Sequence, residues 1–218
     1  MPEAGRVIAG TARGRRLLHP GPQTRPLGDR VKQAIFGSLD PVLAGARVLD
    51  LFAGSGAGGI EALSRGAGSC DFVERDQDAV RAIEDNLRRT GLAGPRARVH
   101  CRDVSTYLSG ASGPFDVVLV DPPFGDAAML DALQQLGTGA VLQPGSVVVA
   151  RHFWRDALPE RVGRLVRLRE RRIGEGVVTL FGQRLEDQAE RPARNEADVD
   201  GVAREADGRS GRRRQEAG

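Results

Sequence analysis

The stretch Val48-Leu49-Asp50-Leu51-Phe52-Ala53-Gly54-Ser55-Gly56-Ala57-Gly58-Gly59 decides the fold. Its first part is an apolar run interrupted by one carboxylate, as expected of a strand buried on both faces. Its second part sets G-x-G-x-x-G on Gly54, Gly56 and Gly59, directly after that strand and at the start of a helix. Glycine there permits a tight turn and lets a ligand approach the backbone closely. The motif suits NAD, FAD or S-adenosylmethionine and does not choose among them. A tight turn with no ligand is the structural alternative.

Outward from this core, strands are expected at 47–51, 69–74, 97–101, 115–120 and 146–151. Helices fit between them, most clearly over 76–89, where Ala79, Val80, Ile83 and Leu87 share one face. Such alternation with short connections predicts an α/β fold, a parallel sheet covered on both sides. Segments 163–169 and 176–181 have no helix between them and read as an antiparallel pair at one edge. Upstream, Arg6-Val7-Ile8-Ala9-Gly10 and Arg15-Arg16-Leu17-Leu18-His19 read as a hairpin around Thr11-Ala12-Arg13-Gly14. A helix opens at Leu27 or Gly28 and ends at Pro41. The division expected is a hairpin over 1–26, a catalytic domain over 27–182 and a disordered tail over 183–218. That tail has no aromatic residue and no isoleucine, so its burial cannot offset the entropy of folding.

The chain has 218 residues, 40% apolar and 28% charged, which fits one globular domain with additions. No apolar run approaches the roughly 20 residues of a membrane span, and Met1-Pro2-Glu3-Ala4-Gly5 does not begin a signal peptide. A cytoplasmic, membrane-free protein is expected. Cys70 and Cys101 have neither zinc-site nor redox-pair spacing and read as reduced core thiols; no metal ligand set is visible. Net charge is only +3, but residues 1–40 carry seven Lys or Arg against three acids, and residues 151–172 carry eight Arg against three. Positive faces of that kind suit a polyanion. Because Lys32 is the one lysine, a bias toward arginine codons is the competing explanation.

Three carboxylates follow strand ends. Glu74 closes the second strand, 24 positions after Asp50, where an acid can accept hydrogen bonds from both ribose hydroxyls of an adenosine. An exposed helix charge is its alternative, since Asp76 already reads as the helix cap. Asp103 follows the third strand and suits an adenine amino group or a cap on the next helix. Asp121-Pro122-Pro123-Phe124 ends the fourth strand. The prolines hold the residues before them extended, so Asp121 and Pro122 present a carboxylate and a carbonyl from a stiff platform. That acceptor pair fits a planar amino group, and Phe124 offers a face on which its ring can stack. His19, His100 and His152 are scattered and suggest no hydrolytic triad. Phe153 and Trp154 read as core or edge packing in preference to base stacking.

Together these residues resemble the RsmD family of bacterial methyltransferases, which modify the exocyclic N2 of a guanine in 16S ribosomal RNA. The resemblance covers about residues 5–182. It rests on Arg6-Val7-Ile8-Ala9-Gly10 with Arg13-Gly14-Arg15, on Thr24-Arg25-Pro26 with Asp29-Arg30-Val31, on Asp50 to Gly56 followed by Glu61-Ala62-Leu63-Ser64-Arg65-Gly66-Ala67, and on Asp121-Pro122-Pro123-Phe124. It implies a Rossmann-like class I methyltransferase, a seven-stranded mostly parallel sheet with an antiparallel last strand, preceded by a small RNA-binding hairpin. The implied cofactor is S-adenosylmethionine. Asp50 with Phe52, Ala53, Gly54, Ser55 and Gly56 would hold its methionine end, Glu74 the ribose, and Asp103 with Val104 the adenine. Asp121, Pro122, Pro123 and Phe124 would hold the guanine. The chain departs from the family at Leu27-Gly28, usually two threonines, and at Gly58, usually leucine.

The partner implied is 16S RNA, naked or within a small-subunit assembly particle, bound by a monomer. Arg6, Arg13, Arg15, Arg16, Arg25 and Arg30 are the expected phosphate contacts. The rival readings are an adenine-N6 or cytosine-N4 methyltransferase, an NAD-dependent oxidoreductase and a non-catalytic RNA-binding protein. The oxidoreductase leaves Asp121-Pro122-Pro123-Phe124 unexplained.

Overall fold

Val48, Leu49 and Leu51 are wholly buried in the computed structural model, which describes residues 3–19, 21, 27–111 and 113–183. They lie in the central strand β3 (Arg47–Leu51) of a sheet completed by β4 (Ser69–Glu74), β5 (Ala97–Cys101), β6 (Phe115–Val120), β7 (Leu142–Phe153), β8 (Arg161–Val162), β9 (Leu165–Ile173) and β10 (Gly176–Gln183). The order is β5-β4-β3-β6-β7-β10-β9-β8. β3 to β7 pair in parallel, and the last strand, β10, runs antiparallel between β7 and β9. The seven strands of a class I methyltransferase sheet are therefore present. An eighth of two residues, β8, was not expected and adds an edge beyond β9.

Four helices follow the strands and their connections: α2 (Ala57–Ser64), α3 (Gln77–Thr90), α4 (Val104–Gly110) and α5 (Ala128–Thr138). α3 buries Ala79, Ala82, Ile83, Asn86, Leu87 and Thr90, so of the expected face Ala79, Ile83 and Leu87 are buried and Val80 is half-buried, and Asp76 caps the helix by accepting from the Asp78 and Ala79 N–H groups. Two apolar clusters cover the two faces of the sheet, one around Phe36, Ile60 and Phe72, the other around Phe115, Leu133 and Phe181.

Several local expectations need correction. α1 (Asp29–Leu43) carries Pro41 inside it, not at its end. The carbonyl that Pro41 leaves without a helix donor belongs to Gly37, which is exposed and open to water. The first hairpin strand is β1 (Glu3–Arg6), pairing with β2 (Arg16–Leu18), and not residues 6–10. The reason is non-local: the Ile8 and Ala9 N–H groups donate to the Glu61 carboxylate at 2.8 and 3.0 Å instead of to a strand. Cys70 is buried, but Cys101 is exposed, because β5 is an edge strand. Phe153 and Trp154 belong to neither apolar cluster, so of the core or edge packing expected for them the edge contact stands. Arg25 and residues 184–218 lie outside the described residues.

The hairpin is tied to the sheet domain by buried polar contacts. Glu61 is fully buried and also accepts from Arg65 Nε at 2.8 Å. Ser64 Oγ accepts from the Ala12 N–H and donates to the Ala9 carbonyl. Asn86 accepts from the Leu18 N–H and donates to the carbonyls of Leu18 and Ser55, linking β2 to the glycine loop. Gly10 sits so close that an added Cβ would lie 1.8 Å from the Ser64 carbonyl oxygen. Two sequence blocks on which the resemblance rests, residues 6–10 and 61–67, are thus the two halves of one joint.

Candidate active site

The strand order reverses between β3 and β6, so the chain leaving their carboxyl ends diverges and opens a crevice. Leu51 and Val120 are register partners, which sets Phe52 and Asp121 side by side at its mouth. A cleft of about 580 Å³ lies there. Its walls include Asp50, Phe52, Ala53, Gly54, Ser55, Glu74, Asp103, Val104, Asp121, Pro122, Pro123 and Phe124. Gly56 stands behind the wall as the left-handed N-cap of α2, with φ of 75°. His19, which no motif places here, is also on the wall and accepts a hydrogen bond from the Gly21 N–H at its Nδ1.

The glycine loop is held by its own backbone. Phe52 has φ of 59°, alone among the described non-glycine residues in the left-handed region. Strain of that kind costs about 1–3 kcal/mol and persists where neighbours enforce it. The enforcing bonds are Ala53 N–H to the Val73 carbonyl, Gly56 N–H to the Ala53 carbonyl, and Gly54 N–H to Glu74 Oε2 at 2.9 Å. Glu74 Oε1 accepts from the Asp76 N–H, also at 2.9 Å. Each oxygen of Glu74 is therefore oriented by one backbone donor and keeps accepting capacity for hydroxyls in the cleft. Asp103 caps α4 through Oδ1 alone, accepting from Ser105 and Thr106 N–H, so its two expected roles are compatible.

Asp50 sits at the floor of the cleft, 4% exposed, with Oδ2 accepting from the Gly59 N–H at 2.7 Å. Burial pushes its carboxyl up to about 8 against the pull of that N–H, and the charges of Asp121 and Glu74 add to the rise. The close packing here explains two glycines. A Cβ on Gly59 would fall 2.3 Å from the Phe72 ring, and one on Gly58 would fall 2.9 Å from Leu119 and 3.2 Å from Asp50. The departure at Gly58 is thus matched to a filled space.

Across the cleft Asp121 meets a residue that sequence reasoning did not single out. Arg151 Nη1 donates to Asp121 Oδ1 and Oδ2 at 3.0 and 3.1 Å, and its guanidinium lies 4.8 Å from the centre of the Phe124 ring. Burial raises the Asp121 carboxyl above the usual carboxylate range, and the Arg151 charge and hydrogen bonds only partly oppose this. Arg151 therefore covers both the carboxylate and the ring that were expected to receive a base. The available signal was register: Val120 pairs with Ala150, so the next residues of β6 and β7 emerge together. A second cavity, of about 260 Å³, adjoins the first and shares Pro122, Pro123, Phe124, Asp126 and Arg151 with it.

Among the described residues, none of Arg6, Arg13, Arg15, Arg16 and Arg30 lines the cleft. Arg13, Arg15 and Arg16 are exposed at the turn and second strand of the hairpin. Arg6 is exposed and pairs with Asp29 at 3.1 Å, and Arg30 is exposed on α1. Among the described residues there is no group of three or more His, Cys, Asp or Glu able to hold a metal, and no helix long and apolar enough to cross a membrane.

Residues 5–182 match the family model described as conserved hypothetical protein 95. The chain is 32% identical over 196 residues to ribosomal RNA small subunit methyltransferase D of Escherichia coli K12, covering 89% of this chain and 94% of that protein. It is 38% identical over 183 residues to YlbH of Bacillus subtilis, covering 82% of this chain and 99% of that one. The solved structure of yhhF from Escherichia coli superposes with a TM-score of 0.76 at 30% identity, over 84% of this chain and 98% of the other. With its sheet order, glycine loop and Asp-Pro-Pro-Phe corner in place, the chain belongs to this family, the RsmD methyltransferases.

Proposed function

We propose that the protein transfers a methyl group from S-adenosylmethionine to the exocyclic N2 amine of a guanine in 16S ribosomal RNA. The observation that carries this reading is the pairing, in one cleft, of a carboxylate-rimmed glycine loop with Asp121 on a proline-stiffened corner. The relatives' names point to small-subunit RNA, and the choice of guanine N2 follows the family resemblance.

The cleft fits the cofactor's chemistry. Glu74 offers oriented acceptors for two hydroxyls, Asp103 an acceptor for an adenine amine, and the loop a backbone that bulky side chains do not screen. Asp50 is a buried acid facing a cleft, where an ammonium group would favour its ionised form. When bound, S-adenosylmethionine supplies an electrophilic sulfonium methyl group. The remaining work falls to the protein. Asp121 and the Pro122 carbonyl accept the two N–H bonds of the amine, which aims the nitrogen lone pair outward and fixes near-attack geometry. Asp121 takes the surplus proton, directly or through water. For this Arg151 must release Asp121 as the base enters, and Phe124 then stacks on the base in place of the guanidinium. A base within a stacked duplex is out of reach, so the target is a loop nucleotide or one turned out of the stack.

Residues 1–26 are the RNA-binding segment in this reading, with phosphate contacts from Arg6, Arg13, Arg15, Arg16, Arg25 and Arg30. Residues 27–182 are the methyltransferase domain, acting in the cytoplasm as a monomer on free RNA or an assembly particle. The test is to map methylated guanines in 16S RNA from cells with and without the gene, then restore the mark with purified protein and labelled cofactor. Loss of one guanine-N2 mark and its restoration is the expected result. A mark on an adenine or cytosine amine would replace guanine with the rival base.

A further inference from the structure

We infer that Phe124, Phe153 and Trp154, flanked by Arg155 and Arg172, form a stacking track for single-stranded RNA next to the target nucleotide; this rests on the RNA reading above. Phe36, Phe72, Phe115 and Phe181 fill the core, whereas these three rings stand outside it. They run in a row: Phe124 to Phe153 is 5.7 Å between ring centres, and Phe153 to Trp154 is 5.8 Å. The row begins at the Asp121 corner and ends at Trp154, 39% exposed.

The row is held in place by backbone. Trp154 N–H donates to the Glu175 carbonyl at 3.0 Å, which ties it to the turn between β9 and β10, and Asp156 N–H closes onto the Phe153 carbonyl at 2.9 Å. Its outer end is cationic. The guanidinium groups of Arg155 and Arg172 lie 4.8 and 4.4 Å from the Trp154 ring, and residues 151–172 hold eight arginines against three acids. Aromatic rings interleaved with arginine are the composition of a single-strand groove, where bases stack and cations meet phosphates. A base reaching Trp154 displaces one exposed guanidinium, a weaker contact than the stack it gains, and frees that cation for the backbone. A protein partner would want an apolar patch with few charges at its centre, which this row does not offer.

Trp154 is the chain's single tryptophan, so its fluorescence reports on the track directly. The experiment titrates the full-length protein with a fluorescently end-labelled oligouridine of about a dozen nucleotides, which lacks guanine, following indole quenching and oligomer anisotropy together. The expected result is saturable quenching that coincides with binding. Trp154→Ala should weaken binding roughly ten- to hundred-fold, Trp154→Phe should retain most of it, and S-adenosylhomocysteine affinity should be unchanged in both. Binding without quenching, with Trp154→Ala within two-fold of the wild type, overturns the track, as does an absence of oligouridine binding. Methyl transfer to 16S RNA is measured separately. Quenching and stacking without such transfer keep the track and reject the proposed activity, and transfer without stacking does the reverse.

Discussion

The two walls of the cleft hold their carboxylates in opposite ways. On the glycine-loop side, Glu74, Asp103 and Asp50 are oriented by backbone N–H donors of the same wall. Those donors belong to the backbone of the wall itself, so this half is preformed. On the opposite side Asp121 is held by the Arg151 side chain, which also covers Phe124. In the proposed reading that half opens when a base exchanges with the guanidinium. The contrast suits an enzyme whose small ligand must be placed accurately and whose large one must be selected: the backbone supplies position, and a breakable ion pair supplies a threshold.

The sharpest way to break the comparison is Asp121→Ala. Loss of an acceptor used in the transition state should lower methyl transfer by at least about a hundred-fold, with cofactor affinity within a few-fold of the wild type. Normal turnover on 16S RNA would remove Asp121 from the chemistry. Glu74→Ala should do the opposite. Losing two hydrogen bonds to a charged acceptor predicts a cofactor affinity about ten- to hundred-fold weaker, with turnover at saturating cofactor changed far less. Equilibrium binding of S-adenosylhomocysteine and initial rates separate the two variants.

Arg151→Met tests the latch. Removing the cation leaves burial unopposed at Asp121, so its carboxyl titrates higher and the acidic limb of the pH–rate profile should move to higher pH. Activity lost near neutrality should return in part as pH rises. A profile that keeps its shape would mean that Arg151 does not govern the charge of Asp121.

How much of this was legible in the sequence follows from the same contrast. The preformed wall is built from local signals: Gly54 and Gly56 in a left-handed turn, Asp76 and Asp103 as caps, an apolar β3. Each depends on residues within a few positions, and periodicity and turn chemistry therefore place them. Asp121 was legible for the same reason, as the residue stiffened by Pro122. What escaped depends on distant partners. Arg151 reaches Asp121 because β6 and β7 run in parallel register, with Val120 opposite Ala150, so the residues that follow them lie side by side. The hairpin pairing goes no further than Val7 because Glu61, far along the chain, takes the Ile8 and Ala9 N–H groups. The left-handed Phe52 was unreadable, since its strain is enforced by bonds that form only once β4 lies beside β3. Whether Phe153 and Trp154 pack in the core or at an edge was not legible, because apolar type alone does not tell which ring the core has room for.

The smallest effect concerns Asp50, the one carboxyl of the preformed wall that burial brings up to about 8, from an ordinary value of 3.8. In the free protein at pH 7 it is mostly protonated. The cofactor's methionine ammonium, set beside it, would favour the ionised form, so binding at pH 7 should release a substantial fraction of one proton. Calorimetry in two buffers of different ionisation enthalpy measures that release, and Asp50→Asn should abolish it while keeping the bond from the Gly59 N–H. The sign for stability is fixed by the same values. A carboxyl whose folded pKa is raised holds more protons folded than unfolded, so its contribution is complete below about pH 4 and is lost as pH climbs through about 8. Asp50→Asn does not titrate. Its melting temperature relative to the wild type should therefore rise steadily between pH 5 and pH 8, while an unchanged difference across that range would mean that Asp50 is already ionised and that the floor of the cleft is as fixed in charge as it is in shape.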